Sequence, residues 1–449
     1  MPPVPVYRGR FGVPEAERLL WRAGFGPRRG EARRVAALGL DGAVRRLTHP
    51  PRQRLTGRPP QDEDGRGLAP ADQYGHDHLW WLDRMVRTNR PLVERMTLVW
   101  HDWFATSNNG VGSQRLMLDQ NRLLRRYALG NFRNLLHAVT RDPAMLLWLS
   151  GVYNTKDSPN ENYARELMEL FTLGEGNGYG ERDVREQARA LTGFRSEWRR
   201  GPGYVNFRFD PERHDDGLKS VFGKRGRYDW RDSCDLCLRH PLHARFFVEK
   251  LWSYFIPVPP NAATRKGLEA LYRKGRYQVR PVLEAILKHP AFYTGPRMVK
   301  SPIVLNAGLL RALGRRVDTR AWVWLGEAAG QRLFYPPSVA GWDDERWLDT
   351  ATYRARWAIA NEALSNITVQ RSKRGKIPKV PHEAAALVES AYRTLGRPTV
   401  RPASRAAVMR FAKRALSDAD SDWKKDEYPL LVMNATRQLI AASPDYQAA

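Results

Sequence analysis

Residues 91–105 read PLVERMTLVWHDWFA, and the spacing of their apolar side chains decides the fold class. Leu92, Val93, Met96, Val99, Trp100, Trp103 and Phe104 recur at steps of three and four, which a 3.6-residue period gathers into one stripe of an α-helix. The same period runs through QRLMLDQNRLLRRYAL (114–129), NFRNLLHAVTRD (131–142), ENYARELMELFTL (161–173) and ERDVREQARALTG (181–193). The segment GYVNFRFDPERHDDGLKSVFG (203–223) departs from it, because Val205, Phe207 and Phe209 alternate as on a strand. The expected fold is predominantly α: a multi-helix globular protein with one short β-hairpin or ordered loop inserted near 203–223.

At 449 residues the chain exceeds what one core usually serves, since single cores stop growing at about 250–300 residues. Its organisation reads as an N-terminal helical segment over 1–48 and an exposed Pro- and Gly-rich linker over 49–70 (HPPRQRLTGRPPQDEDGRGLAP). A main helical domain over 71–368, a basic linker over 369–380 (QRSKRGKIPKVP at 370–381) and a C-terminal helical lobe over 381–449 follow. Lys and Arg number 74 against 48 Asp and Glu, a formal charge of +26. That excess attracts an anionic polymer or an anionic small substrate, and nucleic acid is among the partners it admits.

Only Cys234 and Cys237 are present, so a disulfide scaffold is excluded. No apolar run reaches the roughly 18 residues of a transmembrane span, and MPPVPVYRGRFGVPEAERLL has no signal-peptide core, so the chain as written reads as cytoplasmic. Walker, dinucleotide-binding, HExxH and nucleophile-elbow motifs are missing. The sequence therefore names no cofactor.

Several segments in chain order, RLLWRAGFGP, WHDWFATS, LDQNRLLRRYALGNFRNLL, PNENYARELMELFTLGEG, DVREQARALTGF, HDDGLKSVFG, HPLHARFFVEKLWSYF and LFYPPSVAGW, resemble the bacterial family of domain of unknown function 1800. The resemblance covers roughly residues 15–360. It implies a mostly helical bacterial protein without an assigned reaction, often exported and often accompanied by a sulfatase-like partner; the sequence as written shows no export signal at its start, and an exported address stays open to a longer N-terminus.

Within the most distinctive of these segments, Ser158, Pro159 and Glu161 have the spacing of a helix cap. Glu161, Asn162, Arg165, Glu166 and Glu169 share one polar face, opposite Tyr163, Leu167, Met168 and Phe171. The face reads either as solvated i, i+4 ion pairs or as the wall of a site. His101 lies about 100° off its helix's apolar stripe, Gln120 falls within the stripe of the next helix with Asn121 at its edge, and His214 and Lys219 stand on a loop-like segment. Cys234, Cys237, His240 and His243 repeat every third residue, but one helix would spread them over about 180° and Pro241 interrupts it, which argues against a zinc site.

The leading functional expectation is an enzyme acting on an anionic, carbohydrate-containing substrate by general acid–base chemistry. His101, Tyr163, Arg165 and Glu166 would be catalytic, and Asn121, Asn162, His214 and Lys219 would bind substrate. The alternatives are a non-catalytic protein that binds polyanions or nucleic acid, and a metal-dependent enzyme using His101, Glu166, Glu169 and His214.

Overall fold

The Pro91–Trp103 helix is buried on nearly every side, because two apolar layers meet across it. All seven residues of its stripe sit in one cluster, shared with helices Val13–Arg22, Phe132–Thr140, Trp230–Arg239, His243–Ser253 and Val279–Lys288. Leu98, on the other side, belongs to a second cluster, built from His76–Arg87, Pro302–Leu313, Ala321–Ala328, Thr350–Ser365, Ala384–Thr394 and Asp422–Ala442. A helix apolar on two sides is what a position between two layers requires. The computed structural model describes residues 4–372 and 377–449; part of the basic stretch read as a linker at 369–380 lies outside them.

The protein is 57% helical. Among the described residues its strands form two small antiparallel sheets, Phe194–Arg199 with Gly203–Phe209 and Lys219–Val221 with Lys224–Gly226. The expected hairpin is present, but its first strand starts earlier than the alternating pattern suggested. Phe194 is buried there against Phe209 and Trp230, a contact with a distant helix that local alternation does not reveal.

The 158–173 segment folds differently from the capping pattern. Asn154 Oδ1 accepts the Asn160 N–H at 2.9 Å, and the Ser158 N–H bonds Thr155 O at 3.1 Å. These contacts hold residues 158–161 out of the helix, which runs from Asn162 to Glu166 and continues as a π-helix over Leu167–Leu173. π-Helical turns are rare and normally a single turn long. Here side chains from neighbouring helices occupy the final carbonyls: Lys250 Nζ donates to Leu170 O at 2.8 Å, Trp103 Nε1 to Phe171 O at 3.1 Å, and His243 Nδ1 lies 2.9 Å from Thr172 O.

Gln120 crosslinks buried helices, donating to Asp142 Oδ1 at 2.8 Å and Thr106 Oγ1 at 3.1 Å. Asp142 also caps the Pro143–Trp148 helix, and burial pushes its carboxyl up to about 7. A carboxyl raised above its unfolded value near 3.9 binds more protons in the folded state. Its stabilising contribution is therefore complete below about pH 3.9 and is lost as pH rises through 7. Three units at 1.36 kcal/mol each correspond to a loss on the order of 4 kcal/mol. Asn keeps the cap and has no charge to bury, so Asp142→Asn is expected to gain several kcal/mol over the wild type between pH 4 and pH 8. Urea midpoints at the two pH values measure this, and a constant difference between the proteins would contradict it.

Candidate functional site

Arg95 and Asp102 are seven residues apart on the Pro91–Trp103 helix, two turns along one face, with Leu98 and Val99 between them. Lys250 and Tyr254 are four apart at the end of the His243–Ser253 helix and face them across a cleft. The segment 298–301 and the loop carrying Trp342 and Trp347 complete the wall around a cavity of about 200 Å³. The cleft thus opens where the two apolar layers fail to close.

Asp102 is held at both carboxylate oxygens. Tyr254 donates its hydroxyl to Oδ2 at 2.7 Å, and the Trp342 backbone N–H donates to Oδ1 at 2.9 Å. Burial nevertheless raises the carboxyl above the ordinary range, against the pull of these two donors, and Asp344 at the exposed rim adds to the rise. Burial, and then the neighbouring Asp102 charge, keeps the Tyr254 phenol protonated far above its usual value.

Lys250 is lowered to about 8 by burial, its ammonium resting 4.7 Å from the Trp103 ring centroid. Arg95 has no hydrogen-bond acceptor or carboxylate partner among the described residues, and its Nε is buried. Burial lowers the guanidinium only to about 10, which leaves it cationic at neutral pH. The indole Nε1 atoms of Trp342 and Trp347 are likewise buried without a protein acceptor. Unpaired buried donors call for an explanation, and three of those in this protein, at Arg95, Trp342 and Trp347, stand in the walls of the cleft.

Gly341 permits the approach of this loop. Its φ is +97°, and a Cβ there would overlap the Asp102 carboxylate. Gly341→Ala is expected to cost more than the roughly 1–3 kcal/mol of backbone strain alone. Gly314→Ala supplies the strain-only reference, since Gly314 has φ +68° and open space around its Cβ position. Equal losses for the two variants in urea unfolding would show that the loop does not press on Asp102.

The residues singled out from sequence do not converge on this cleft or on each other. His101 is buried against the rings of Trp81, Phe334 and Trp342. Its angle off the stripe is as expected, but the second apolar layer covers it, and burial holds the imidazole down to about 3, in the neutral form. Tyr163 is a core residue whose hydroxyl donates to Thr140 Oγ1 at 2.9 Å. Arg165 is spent on a partly exposed ion cluster, with Glu181 at 2.8 Å, Glu161 at 3.2 Å and Glu169 at 3.4 Å. Glu166 is half-buried, its carboxyl raised by burial and then by Glu169.

The expected substrate-binding residues are equally dispersed. Asn121 accepts from Arg125 at 2.6 Å inside the protein, and Asn162 is exposed. His214 Nδ1 lies 3.1 Å from Thr192 Oγ1. Lys219 is fully buried, its ammonium taken by the carbonyls of Asp215 and Gly217, which makes it a clasp for the Arg189–Asp215 pair.

The cysteines and histidines of 234–243 are engaged separately. Cys234 Sγ is 3.2 Å from Thr140 Oγ1, Cys237 accepts from Gln187 at 3.1 Å, and His243 Nε2 lies 3.0 Å from the Tyr272 hydroxyl. Among the described residues no three of His, Cys, Asp or Glu stand together as metal ligands.

Fold and cleft together define a mostly helical protein of two joined apolar layers with a polar, largely buried cleft on their seam. No helix among the described residues is long and apolar enough to cross a membrane. The chain belongs to the family described as protein of unknown function (DUF1800), which it matches over residues 18–448. That span takes in the C-terminal helices that the motif resemblance, ending near 360, left out. Neither a curated protein nor a solved structure matches the chain.

Proposed function

We propose that the protein is an enzyme that takes an anionic, carbohydrate-containing substrate into the Arg95–Asp102–Lys250–Tyr254 cleft and acts on it by general acid–base chemistry. The observation that carries this reading is that Arg95 and Lys250 line the same cleft as a fixed carboxylate while neither forms an ion pair among the described residues. Asp102 acts on both cations through space, but neither has a carboxylate at ion-pair distance, which leaves each able to take an anionic group directly in a site of reduced dielectric. Asp102, oriented at both oxygens, serves as the base, and the Tyr254 hydroxyl returns the proton. Trp342 and Trp347 supply apolar surface for a ring, and their N–H groups suit an oxygen-rich ligand.

About 200 Å³ is less than the roughly 300–1,000 Å³ of sites for larger ligands. The cleft therefore admits one small unit, such as a monosaccharide derivative or a chain terminus. The test is a thermal-shift series with uronic acids, sulfated monosaccharides and their neutral counterparts. An anionic sugar at a hundredfold excess over its Kd stabilises the wild type by roughly 2.7 kcal/mol. Arg95→Ala loses that stabilisation, whereas Arg165→Ala, outside the cleft, keeps it. Anionic and neutral sugars acting alike, or Arg95→Ala retaining the effect, would remove the basis for the proposal.

A further inference from the structure

A second region of the surface shares none of the residues that line the cleft. The turn before the Glu31–Ala36 helix, with Gly30 at φ +73°, places Arg29, Arg33 and Arg34 on the outside, and Arg393 reaches the same area from the end of the Ala384–Thr394 helix. All four are exposed, and none has a carboxylate or side-chain hydrogen-bond partner among the described residues. Some other surface arginines are held by carboxylates, as at Arg165, Arg189 and Arg208; here four without such a partner border one pair of adjoining depressions.

The acidic residues nearest this patch are already occupied. Glu31 accepts from Arg311 at 3.2 Å and from the Arg28 N–H at 2.8 Å, and Glu17 accepts from the Thr399 N–H at 2.9 Å and its hydroxyl at 2.6 Å. Arg397 is paired with Glu389 at 2.9 Å. Arg28 is fixed by the carbonyls of Val86 and Thr88, so its charge stays in place.

The surface is concave. Two depressions of about 460 and 670 Å³ adjoin, sharing Arg28, Arg29 and Arg393. Guanidinium forks match phosphate oxygens in pairs. No Trp, Tyr or Phe lines either depression, so there is no platform for unstacked bases, which single-strand binders rely on, nor for sugar rings. A duplex needs neither, because its bases are stacked inward and its phosphates face out at high linear charge density.

We propose that the Arg29–Arg33–Arg34–Arg393 surface binds the phosphate backbone of duplex nucleic acid without reading its bases. The test is fluorescence anisotropy of a short mixed-sequence duplex across a salt series. Wild type is compared with a variant carrying Arg29→Ala, Arg33→Ala, Arg34→Ala and Arg393→Ala. A second variant carries Arg115→Ala, Arg126→Ala, Arg185→Ala and Arg225→Ala, an equal charge loss at exposed positions elsewhere.

The first variant is expected to bind about tenfold or more weakly, with a log–log salt slope shallower by roughly 3–4, at 0.9 per lost phosphate contact. The second retains wild-type affinity within a few-fold. Arg33→Glu with Arg34→Glu, confined to side chains without protein partners, gives the same reading should the four-site variant unfold. Equal weakening in both four-site variants would assign binding to overall charge. Tighter binding of heparin or of the single strand, or no binding of the duplex, would equally overturn the proposal.

Discussion

Replacing Asp102 with Asn is expected to lower turnover of an anionic sugar bound through Arg95 by about 10²–10⁴-fold, the range for loss of a positioned acid–base group, with the fold unchanged. The substitution is nearly isosteric, and the Trp342 N–H can still bond the remaining carbonyl oxygen, so geometry survives while basicity is lost. The pH profile gives a second readout. A base must be ionised to act, so the rate falls on the acid side, at a pH above the ordinary carboxylate range because burial raises Asp102. It falls again near pH 8, where Lys250 loses the charge that neutralises the substrate. Lys250→Arg holds its charge to higher pH and is expected to shift only the alkaline limb upward. An Asp102→Asn enzyme with wild-type turnover would show that this carboxylate is not the base.

Truncating Trp103 to Ala is expected to destabilise the protein by about 3–5 kcal/mol. The indole lies within 5.4–5.6 Å of the rings of Trp100, Phe132 and Phe247, centroid to centroid, and is fully buried. Its removal leaves a void that rigid aromatic neighbours cannot fill, and the Phe171 carbonyl loses its donor, at about 1 kcal/mol for one hydrogen bond. Trp103→Phe retains most of the ring and loses that bond, so its expected cost is nearer 1–2 kcal/mol. Because Lys250 and Tyr254 rest against the same indole, the Ala variant also loosens the cleft, and the Phe variant separates the two effects. Urea midpoints rank the three proteins; a cost below about 1 kcal/mol for Trp103→Ala would show that the surrounding helices repack freely.

Helical periodicity was legible because burial against one layer prints a stripe. Every residue of the Leu92–Phe104 stripe lies in the first apolar cluster. His101 shows the limit of the same argument: a wheel gives an angle from one layer and is silent about a second layer on the far side. The expected site centred on the 158–173 segment did not assemble, since a polar helix face has the same pattern whether it lines a site or, as at Arg165, binds its own carboxylates.

The cleft was only partly visible in the sequence. Arg95 and Asp102 at i, i+7 and Lys250 and Tyr254 at i, i+4 are each readable as one helix face, and Asp102, Lys250 and Tyr254 lie in segments that carry the family resemblance, with Arg95 just ahead of one of them. Their convergence is tertiary, with a sequence separation of 152 from Asp102 to the tyrosine that bonds it, and no local period encodes that.

The π-helical stretch has a consequence for how the gene can vary. A π turn holds one more residue than an α turn, so Leu167–Leu173 acts as a fixed count. Deleting a single residue there would restore ordinary helical bonding and leave the chain downstream nearly in phase, because the wide turn is what absorbs the extra residue, yet it would close the turn whose carbonyls the neighbouring helices' donors occupy. Lys250, Trp103 and His243 would then lose those carbonyls, and the deletion would reach the cleft through Lys250 without touching any residue that lines it. The exposed stretch from Glu175 to Gly178, just beyond, carries no such count, so length changes accepted there should be refused a few residues earlier.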